Sequence, residues 1–484
     1  MLGVSVPFFS LTPERSFHDR LPLFSTVFPQ TSTRSKEALS RRQAAPRLLR
    51  WWGLLACAAT FVVGMAGCGE PPNPLAKLQI QQVIVIVQEN RTPDNLFHGL
   101  RGADIANEGL NSKGETVRLT PIPLANNYDL SHTHSAFVAM RNGGRMNGAD
   151  KILITCNGQH CPPPNPQFHY VNPKDVAPYF QLAETYTFAD RMFQTNQGPS
   201  FPAHQFIISG TSAPTSRSNL FAAENPAARD RVTNAFFNAG CTAPPTEYVA
   251  MIDPRGLEDT TQYPCFDHLT IMDFLDYQRI SWRYYAPSAG IIWNAPNAIG
   301  HLRFGPDWTN VILQPAQFFI DIDTFQLPTV SWVIPTGIAS DHPGGNGEGP
   351  SWVASLVNAI GNSPYWSHSV IFITWDDWGG WYDHVPPPIH NAYEYGFRVP
   401  LIVVSPYVKP EYVSHVTHDF GSILKFIENN FRLPSLGYAD APADDLSDCF
   451  DFNQVPLTFT TIRAPLDAKH FIEDKRPPTD PDDD

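Results

Sequence analysis

A buried strand that ends in two adjacent carboxylates is the feature that most constrains the fold of this chain. Val370 to Thr374 is a short apolar run rich in β-branched and aromatic residues, which is typical of a buried strand. Asp376 and Asp377 follow it, and Gly379-Gly380 then allow a sharp backbone turn. Two like charges side by side are unfavourable unless a cation or a proton neutralises one of them. Because open α/β sheets present their sites at the carboxyl ends of strands, we expect such a site here; an acidic loop with a helix-capping Asp is the alternative.

Two other predicted strands also end in polar residues. The apolar run from Ile80 to Val87 leads into Glu89-Asn90, and the run from Thr329 to Ile334 leads towards Asp341-His342. Strand-like and helix-like segments alternate along the chain: strands at 80–87, 282–285, 329–334, 370–374 and 398–405, and helices at 270–281, 351–360 and 419–431. This alternation predicts an α/β fold with a mostly parallel central sheet flanked by helices.

Size and charge limit the organisation of the chain and its partners. The chain has 484 residues, 42% of them hydrophobic, which is ample for a core. Its formal net charge of −14 argues against nucleic acid as a partner. We expect an N-terminal extension and export signal at 1–67, a tether at 68–79, a single catalytic domain at 80–470 and a disordered acidic tail at 471–484.

The N-terminal region has the order of an export signal. Basic residues up to Arg50 precede an apolar run from Trp51 to Ala66, which is too short for a comfortable membrane span. The run closes on Met65-Ala66-Gly67-Cys68, which resembles a bacterial lipobox with Met65 in place of the usual Leu. The resemblance implies lipidation at Cys68. We therefore expect an exported protein, either a periplasmic or cell-surface lipoprotein held to the membrane by a lipid anchor, or a secreted protein.

The remaining cysteines suggest local disulfides, which an exported protein can keep. We expect pairing of Cys156 with Cys161 and of Cys241 with Cys265, which leaves Cys449 over. A zinc knuckle at Cys156, His160 and Cys161 is the alternative for the first pair, although a second ligand pair is missing.

A serine joins the strand-end acids as a candidate catalytic group. Ser200 lies in Gly198-Pro199-Ser200-Phe201-Pro202, where Pro202 favours the start of a helix, and a helix N-terminus attracts anions. Hard oxygen ligands such as those at the strand ends suit a divalent cation. A serine beside a cation suits attack on phosphorus, and histidines can act as general acids. We expect the Ser200 hydroxyl to be surface-accessible.

These motifs, in this order, resemble a family of bacterial phosphoesterases. The family includes phosphatidylcholine-hydrolysing phospholipases C and a respiratory-burst-inhibiting acid phosphatase. The matching segments are 88–92 (Gln-Glu-Asn-Arg-Thr), 129–132 with 142–144, 198–202, 340–343, 374–380, 383–387, 398–400 and 405–406. The resemblance covers roughly Gln82 to Pro434 and implies an α/β fold related to the alkaline phosphatase core.

The resemblance also implies roles for individual residues. It gives Ser200 as the nucleophile, with His132 and His342 contacting the phosphoryl group or protonating the leaving oxygen. One divalent metal ion of unidentified element is implied, with Glu89, Asn90, Ser200, Asp376 and Asp377 as its ligands. Candidate substrate-binding residues are His134, His384 and Arg91. Two features depart from the family pattern: Asp377 stands where many relatives have Glu, and the appended C-terminal domains of the large phospholipases are absent.

The sequence thus predicts a metal-dependent hydrolase of phosphate esters, of the phospholipase C or acid phosphatase type, that works through a phosphoseryl intermediate. Its expected partner is a phosphate-ester substrate, with phospholipids as one class. A non-catalytic lipoprotein that binds a cation or a glycan is one alternative. A sulfatase-like ester hydrolase is another, but it would need a Cys/Ser-x-Pro-x-Arg setting, and the residues after Ser200 are Phe-Pro-Ala-His.

Overall fold

An eight-stranded sheet forms the centre of the fold. The computed structural model describes residues 79–156, 162–228 and 239–479. The strands of the central sheet are β1 (Gln82–Gln88), β2 (Thr187–Ala189), β3 (Trp282–Tyr285), β4 (Val311–Ile312), β5 (Val330–Val333), β6 (Ser369–Trp375), β7 (Leu401–Val404) and β8 (Tyr412–Ser414). Their order across the sheet is β4-β3-β5-β1-β6-β7-β2-β8. The predicted α/β class with a mostly parallel sheet is confirmed.

Strand β7 is antiparallel to both of its neighbours. It pairs antiparallel with both β6 and β2, whereas the other pairs in this sheet are parallel. The chain leaves β6 at the edge that carries Asp376 and returns from that same edge after residues 376–400, so β7 must run in the opposite direction. The strand predicted at 398–405 therefore exists, and its direction is the exception within the predicted sheet.

Helices flank the central sheet. They are α1 (Pro93–Leu96), α2 (His134–Arg141), α3 (Ala177–Thr185), α4 (Ser200–Ser209), α5 (Ile271–Tyr277), α6 (Gly300–Phe304), α7 (Gln317–Asp323), α8 (Gly349–Gly361), α9 (Phe420–Phe431) and α10 (Ala468–Glu473). The predicted face of α8, with Val353, Leu356, Val357 and Ile360, is buried. Helix α9 begins after Asp419, whose carboxylate accepts a hydrogen bond from Ser422 N, because a capping side chain satisfies the free amides of the first turn.

Residues 211–228 and 239–265 contain more regular structure than their composition indicates. This Ala/Pro/Asn-rich stretch carries a small sheet of Phe221–Ala222, Ala227–Ala228, Glu247–Ile252 and Thr260–Gln262. The disulfide between Cys241 and Cys265 is confirmed, and Cys449 is the free cysteine of the described part, buried as a thiol. The other short strand pairs are Glu108–Leu110 with Thr116–Arg118, Thr120–Ile122 with His169–Val171, Tyr128–Leu130 with Ile154–Cys156, and Met192–Phe193 with His418–Asp419.

Several predictions fall outside the described residues. These are the export signal, the lipidation of Cys68, the tether up to residue 78, and the Cys156–Cys161 pairing together with its zinc-knuckle alternative. Helix α10 extends across residue 470, where we expected the catalytic domain to end and the tail to begin. The ring centroid of Phe471 lies 5.1 Å from that of Trp352. In the ranges that the structure covers, no helix has the length and apolar character needed to cross a bilayer.

Candidate active site

The central strands β1 and β6 bring the two acidic motifs together. Gln88 pairs with Trp375 in parallel register, so Glu89-Asn90 and Asp376-Asp377 follow on neighbouring strands. Asp376 N donates to Gln88 O at 2.9 Å, and Asn90 N donates to Asp376 Oδ1 at 3.1 Å. All four side chains are buried. The four residues predicted as metal ligands on these strands therefore lie together at the middle of the sheet edge.

The glycine pair after Asp377 allows this close approach. Gly379 and Gly380 have φ angles of 61° and 72°, which favour glycine. A Cβ on Gly379 would lie 2.5 Å from Asn90 O, and one on Gly380 would lie 2.5 Å from Leu130 Cβ. The turn therefore packs against Asn90 and against the segment that leads to His132.

Ser200 is the first residue of the ten-residue helix α4. Its Oγ donates to Asp377 Oδ2 at 3.1 Å, and Asp377 Oδ1 accepts from Gly379 N at 2.7 Å. The expectation of a surface-accessible hydroxyl is wrong, because Ser200 is fully buried. Pro202 is the third residue of the helix rather than its first. The helix N-terminus still places backbone amides beside this serine, where negative charge is stabilised.

Gln194 connects the serine turn to the carboxylate pair. Its Nε2 donates to Asn196 O at 2.9 Å and to Gly198 O at 3.0 Å, while its Oε1 accepts from Trp378 N at 3.0 Å. Gly198 has no room for a side chain, since a Cβ would lie 2.3 Å from Ala223 O. Ser200 and Asp377 are thus held in a fixed mutual position by buried polar contacts.

His204 is a site residue that sequence reasoning missed. Its Nε2 lies 3.2 Å from Glu89 Oε1 and 3.9 Å from Asp376 Oδ2. Tyr284 Oη donates to Trp293 O at 2.7 Å and lies 3.4 Å from His204 Nδ1, so Tyr284 Oη is the acceptor towards that nitrogen. A proton on Nδ1 leaves the lone pair of neutral His204 at Nε2, facing the carboxylates. The sequence did contain a signal for His204, because this residue lies four residues after Ser200 and therefore on the same face of the helix.

The donor set fits a divalent cation. Glu89, His204 and Asp376 each offer one ligand atom, and these atoms lie within 4.8 Å of one another. Asp376 Oδ2 is buried and accepts no hydrogen bond from any residue that the structure describes. Two buried carboxylates and an imidazole lone pair converging on one point are unfavourable unless positive charge lies between them. Carboxylate oxygen and imidazole nitrogen are common ligands of first-row divalent metals.

His132 and His342 lie beside this cluster. His132 Nδ1 donates to Leu130 O at 2.9 Å, which leaves Nε2 facing Asn90 Nδ2 at 3.3 Å and Asp377 Oδ2 at 3.9 Å. His342 Nδ1 donates to Pro343 O at 2.7 Å, and the two imidazole centroids are 6.2 Å apart. Both predicted histidines thus have Nδ1 held by a backbone carbonyl, which fixes the orientation of each imidazole ring.

Arg91 makes structural contacts rather than contacts with the carboxylate cluster. Its Nε and Nη2 donate to Asp341 O at 2.9 and 2.5 Å, and its guanidinium lies 5.0 Å from the centroid of the Trp381 ring. Burial lowers the pKa of Arg91 to about 10, against the opposing charge of Asp341. Burial also raises the pKa of Asp341 to about 6, although Tyr179 and Trp375 donate to its Oδ2. These contacts fasten the Asp341-His342 loop to the end of β1.

His134 contacts two glutamates from the 211–265 segment. Its backbone N donates to Glu224 Oε1 at 3.0 Å, and its Nδ1 forms an ion pair with Glu258. Burial opposes the charged form of His134, but the contact with Glu258 raises its pKa. Burial, followed by the charge of Glu258, raises the pKa of Glu224 to about 7. Sequence reasoning missed both glutamates because the polar stretch around them carries no motif.

His384 belongs to a separate ion-pair network. Its Nδ1 lies 2.8 Å from Asp94 Oδ2, and its Nε2 lies 3.1 Å from Asp104 Oδ1. The buried Arg398 pairs with Asp383 at 2.8 Å and with Asp94 at 3.3 Å. Burial opposes the charged imidazole, but the hydrogen bond with Asp94 and the nearby carboxylates raise the pKa of His384 to about 9. The network joins the loop after β6 to α1 and to the segment that leads into β7.

One cavity of about 720 Å³ lies elsewhere, between α7, α8 and residues 461–472. None of the residues lining that cavity belongs to the carboxylate–histidine cluster. The site is therefore assigned from its chemistry rather than from the shape of a cavity.

Comparison with known proteins agrees with this chemistry. The sequence model of the Phosphoesterase family matches residues 80–434. Phospholipase C A of Mycobacterium tuberculosis is 23% identical, covering 85% of this chain and 84% of its own length. Hemolytic phospholipase C of Pseudomonas aeruginosa is 25% identical over 77% of this chain and 56% of its own length. Non-specific phospholipase C5 of Arabidopsis thaliana is 23% identical over 50% of this chain and 43% of its own length.

Solved structures give weaker overlaps. A protein of the alkaline phosphatase superfamily from Vibrio parahaemolyticus overlaps with a TM-score of 0.36 at 9% identity, covering 77% of this chain and 72% of that one. The α/β assignment itself is based on the strand order described above. Since the family match covers most of the chain, including every residue of the carboxylate–histidine cluster, the chain belongs to the Phosphoesterase family and is a hydrolase of phosphoric esters.

Proposed function

We propose that the protein hydrolyses phosphate esters in a metal-dependent reaction, with Ser200 as the nucleophile and a phosphoseryl intermediate. One observation supports this most directly. Ser200 Oγ stands at a helix N-terminus, 3.1 Å from Asp377 Oδ2, beside the Glu89–His204–Asp376 cluster. The positive end of helix α4 and a cation held by the cluster would stabilise the Ser200 alkoxide, so the hydroxyl would then lose its proton more readily than an isolated one.

The chain's own residues account for both halves of the reaction. Asp377 accepts the Ser200 hydrogen bond and orients Oγ towards the substrate. As Ser200 Oγ attacks phosphorus, its proton passes to Asp377 Oδ2, an O–P bond forms, and the bond to the leaving oxygen breaks. His132 or His342, in its protonated form, protonates that leaving oxygen and then accepts a proton from the water that attacks the phosphoserine. The second attack breaks the bond between Ser200 Oγ and phosphorus, releases the phosphate product and returns the proton from Asp377 to Ser200.

The proposed metal ligands are Glu89, Asn90, Ser200, Asp376 and Asp377, and the geometry adds His204 to them. A divalent cation bound there would supply positive charge against the Ser200 alkoxide and the phosphoryl oxygens. The amides at the start of α4 would stabilise the same oxygens. His134 and His384 stay candidate substrate-binding residues, and Arg91 is the weakest of the three because its guanidinium is engaged by Asp341 O.

The substrate class follows from the relatives. Those named above are phospholipases C, so we propose a phospholipid as one substrate and a soluble phosphate monoester as the other class to be tested. Export with lipidation at Cys68 is part of the same proposal, because it would hold the enzyme at a membrane surface.

Two substrates and a chelator test this function. Purified protein should release product from para-nitrophenyl phosphate, from phosphatidylcholine or from both, should lose activity with a chelator, and should regain it with a divalent cation. Activity that is unchanged after complete metal removal would contradict the metal-dependent mechanism. Absence of hydrolysis with either substrate, in protein that is folded and metal-loaded, would favour the non-catalytic alternative.

A further inference from the structure

A second cluster of metal-binding side chains lies at the far edge of the central sheet. His418 is in the short strand His418–Asp419, and Asp448 and Cys449 are in the turn Ser447–Cys449. Their ligand atoms lie within 4.8 Å of one another. His418 and Cys449 are buried, while the Asp448 side chain is 22% exposed. Nothing in the proposed reaction uses these residues.

The distances within the cluster match a tetrahedral site. Asp448 Oδ1 lies 3.5 Å from His418 Nε2 and 3.6 Å from Cys449 Sγ. With zinc–ligand bonds of about 2.0 Å to nitrogen or oxygen and 2.3 Å to sulfur, neighbouring ligands of a tetrahedral ion are roughly 3.3–3.5 Å apart. Asp448 Oδ1 therefore lies from both other donor atoms at about the spacing of zinc ligands, and all three atoms lie within 4.8 Å of one another.

The surrounding hydrogen bonds direct a lone pair into the cluster. Ser414 Oγ donates its single proton to Asp448 Oδ2 at 2.5 Å, so this proton is not available to His418 Nε2, 3.2 Å away. His418 Nδ1 lies 2.9 Å from Asp444 Oδ1, which favours the tautomer with the proton on Nδ1. A neutral imidazole then turns the Nε2 lone pair towards a carboxylate, an arrangement that a cation between them would stabilise.

We infer that His418 Nε2, Asp448 Oδ1 and Cys449 Sγ bind a zinc ion at a site separate from the Ser200 site. Asp444 is the carboxylate partner behind the histidine, an arrangement common around protein-bound zinc. Solvent reaches the cluster past Asp448 and takes the fourth position. On binding, the Cys449 thiol gives up its proton, since the thiolate is the form that ligates metal.

The zinc ion would hold the 444–449 turn against the sheet. Lys409 N already donates to Cys449 O at 2.9 Å, and Thr187 Oγ1 in β2 donates to Lys409 O at 2.7 Å. A metal bond from Cys449 to His418 would add a cross-link between this turn and the strand that leads into α9. The expected role is structural, because the ion would cross-link this turn to the strand before α9, and no residue of the proposed Ser200 reaction belongs to the cluster.

Cobalt substitution distinguishes the two sites. Metal-free protein titrated with Co²⁺ should develop the thiolate-to-cobalt charge-transfer band, which the Ser200 site cannot produce because it has no cysteine ligand. Cys449→Ala should abolish this band and remove one bound zinc per chain. Cys156→Ala removes a ligand of the alternative zinc knuckle at Cys156, His160 and Cys161, and it should keep both the band and the bound zinc, while Cys241 and Cys265 are already joined in a disulfide.

Added zinc should also raise the melting temperature of the wild type but not that of Cys449→Ala, since a ligand stabilises only the state that binds it. Absence of the charge-transfer band in fully cobalt-loaded wild type would overturn the inference without any variant. Persistence of the band in Cys449→Ala, or its loss in Cys156→Ala, would overturn the assignment to Cys449.

Discussion

At the scale of single residues, Asp377 lies between two of the proposed catalytic groups. Its Oδ2 accepts from Ser200 Oγ at 3.1 Å and lies 3.9 Å from His132 Nε2. Gly379 N fixes the other oxygen. A carboxylate held in this way orients the nucleophile, which is how an active site limits the entropy lost on reaching the transition state.

Asp376 provides a test of metal binding. Asp376→Asn removes a negative charge from the Glu89–His204–Asp376 cluster, and metal affinity depends on the number and charge of the ligands. We expect the metal concentration for half-maximal activity to rise roughly tenfold or more. Metal titration of activity measures this, with the exposed Asp323→Asn as the charge-matched control. Equal titration curves for Asp376→Asn and wild type would remove Asp376 from the ligand set.

His384 predicts a pH dependence of stability. Its pKa in the folded state is about 9, above its ordinary value, so its contribution is complete below about pH 6.5 and is lost as the pH rises through about 9. The free energy of unfolding of wild type minus that of His384→Gln should therefore fall by roughly 1–3 kcal/mol between about pH 6 and about pH 10. Urea unfolding at both pH values measures the difference. A constant difference would contradict a charged His384, and a raised KM in the variant would support its role in substrate binding.

At the scale of elements, the paired ends of β1 and β6 determine where the site lies. Parallel strands have their carboxyl ends at the same edge of a sheet. Asn90 and Asp376 are 286 residues apart in the sequence, but they therefore become hydrogen-bonded neighbours. The turn at Gly379-Gly380 and the start of α4 then bring Ser200 to the same carboxylates.

Two glycine-to-alanine variants with similar backbone strain test this packing. Gly379→Ala would place a methyl group about 2.5 Å from Asn90 O, whereas Gly114→Ala, also at positive φ, would meet nothing within 4 Å. Both should cost about 1 kcal/mol from backbone strain, but Gly379→Ala should also displace Asn90 and lower kcat at saturating metal. Melting temperatures and kcat of both variants give the answer. Equal kcat values in the two variants would show that the close contact at Asn90 is unimportant.

The sequence predicted some elements well and others poorly for physical reasons. Buried parallel strands such as β1 and β6 are continuous apolar runs, so they stand out without knowledge of their partners. The direction of β7 depends on which edge residues 376–400 return from, and no local pattern encodes that. The small sheet at 211–265 escaped notice because its short strands lie among alanine, proline and asparagine residues.

At the scale of the whole molecule, the N-terminal region sets the proposed location. A lipid anchor would keep a phosphoesterase next to phospholipid, whereas a soluble form would have to diffuse to it. Cys68→Ser should release the protein from the membrane fraction or block its processing. Anchoring needs more than one acyl chain, because a single chain binds a membrane only marginally. Fractionation and mass spectrometry of both forms measure this, and identical soluble species for wild type and variant would contradict lipidation.

The sequence motifs of the candidate site could be predicted, but the burial and mutual positions of its residues could not. Glu89, Asn90, Asp376 and Asp377 could be named because each follows a recognisable strand. The burial of Ser200 and the position of Glu224 depend on how distant loops close over the sheet. His204 could have been predicted from its helical spacing of four residues after Ser200. Cys449 was correctly left unpaired, yet its proximity to His418 and Asp448 appears only once the chain has folded.

The kcat of Ser200→Ala, compared with that of Ser209→Ala, tests the central claim most directly. Both serines are buried and lie on α4, at its first and last residues, so the pair controls for loss of a buried hydroxyl. Ser200→Ala should lose several orders of magnitude in kcat on para-nitrophenyl phosphate, with a stability change of about 1 kcal/mol, while Ser209→Ala keeps its activity. Retention of more than about a tenth of the wild-type kcat in Ser200→Ala would contradict a serine nucleophile and would indicate direct attack by water.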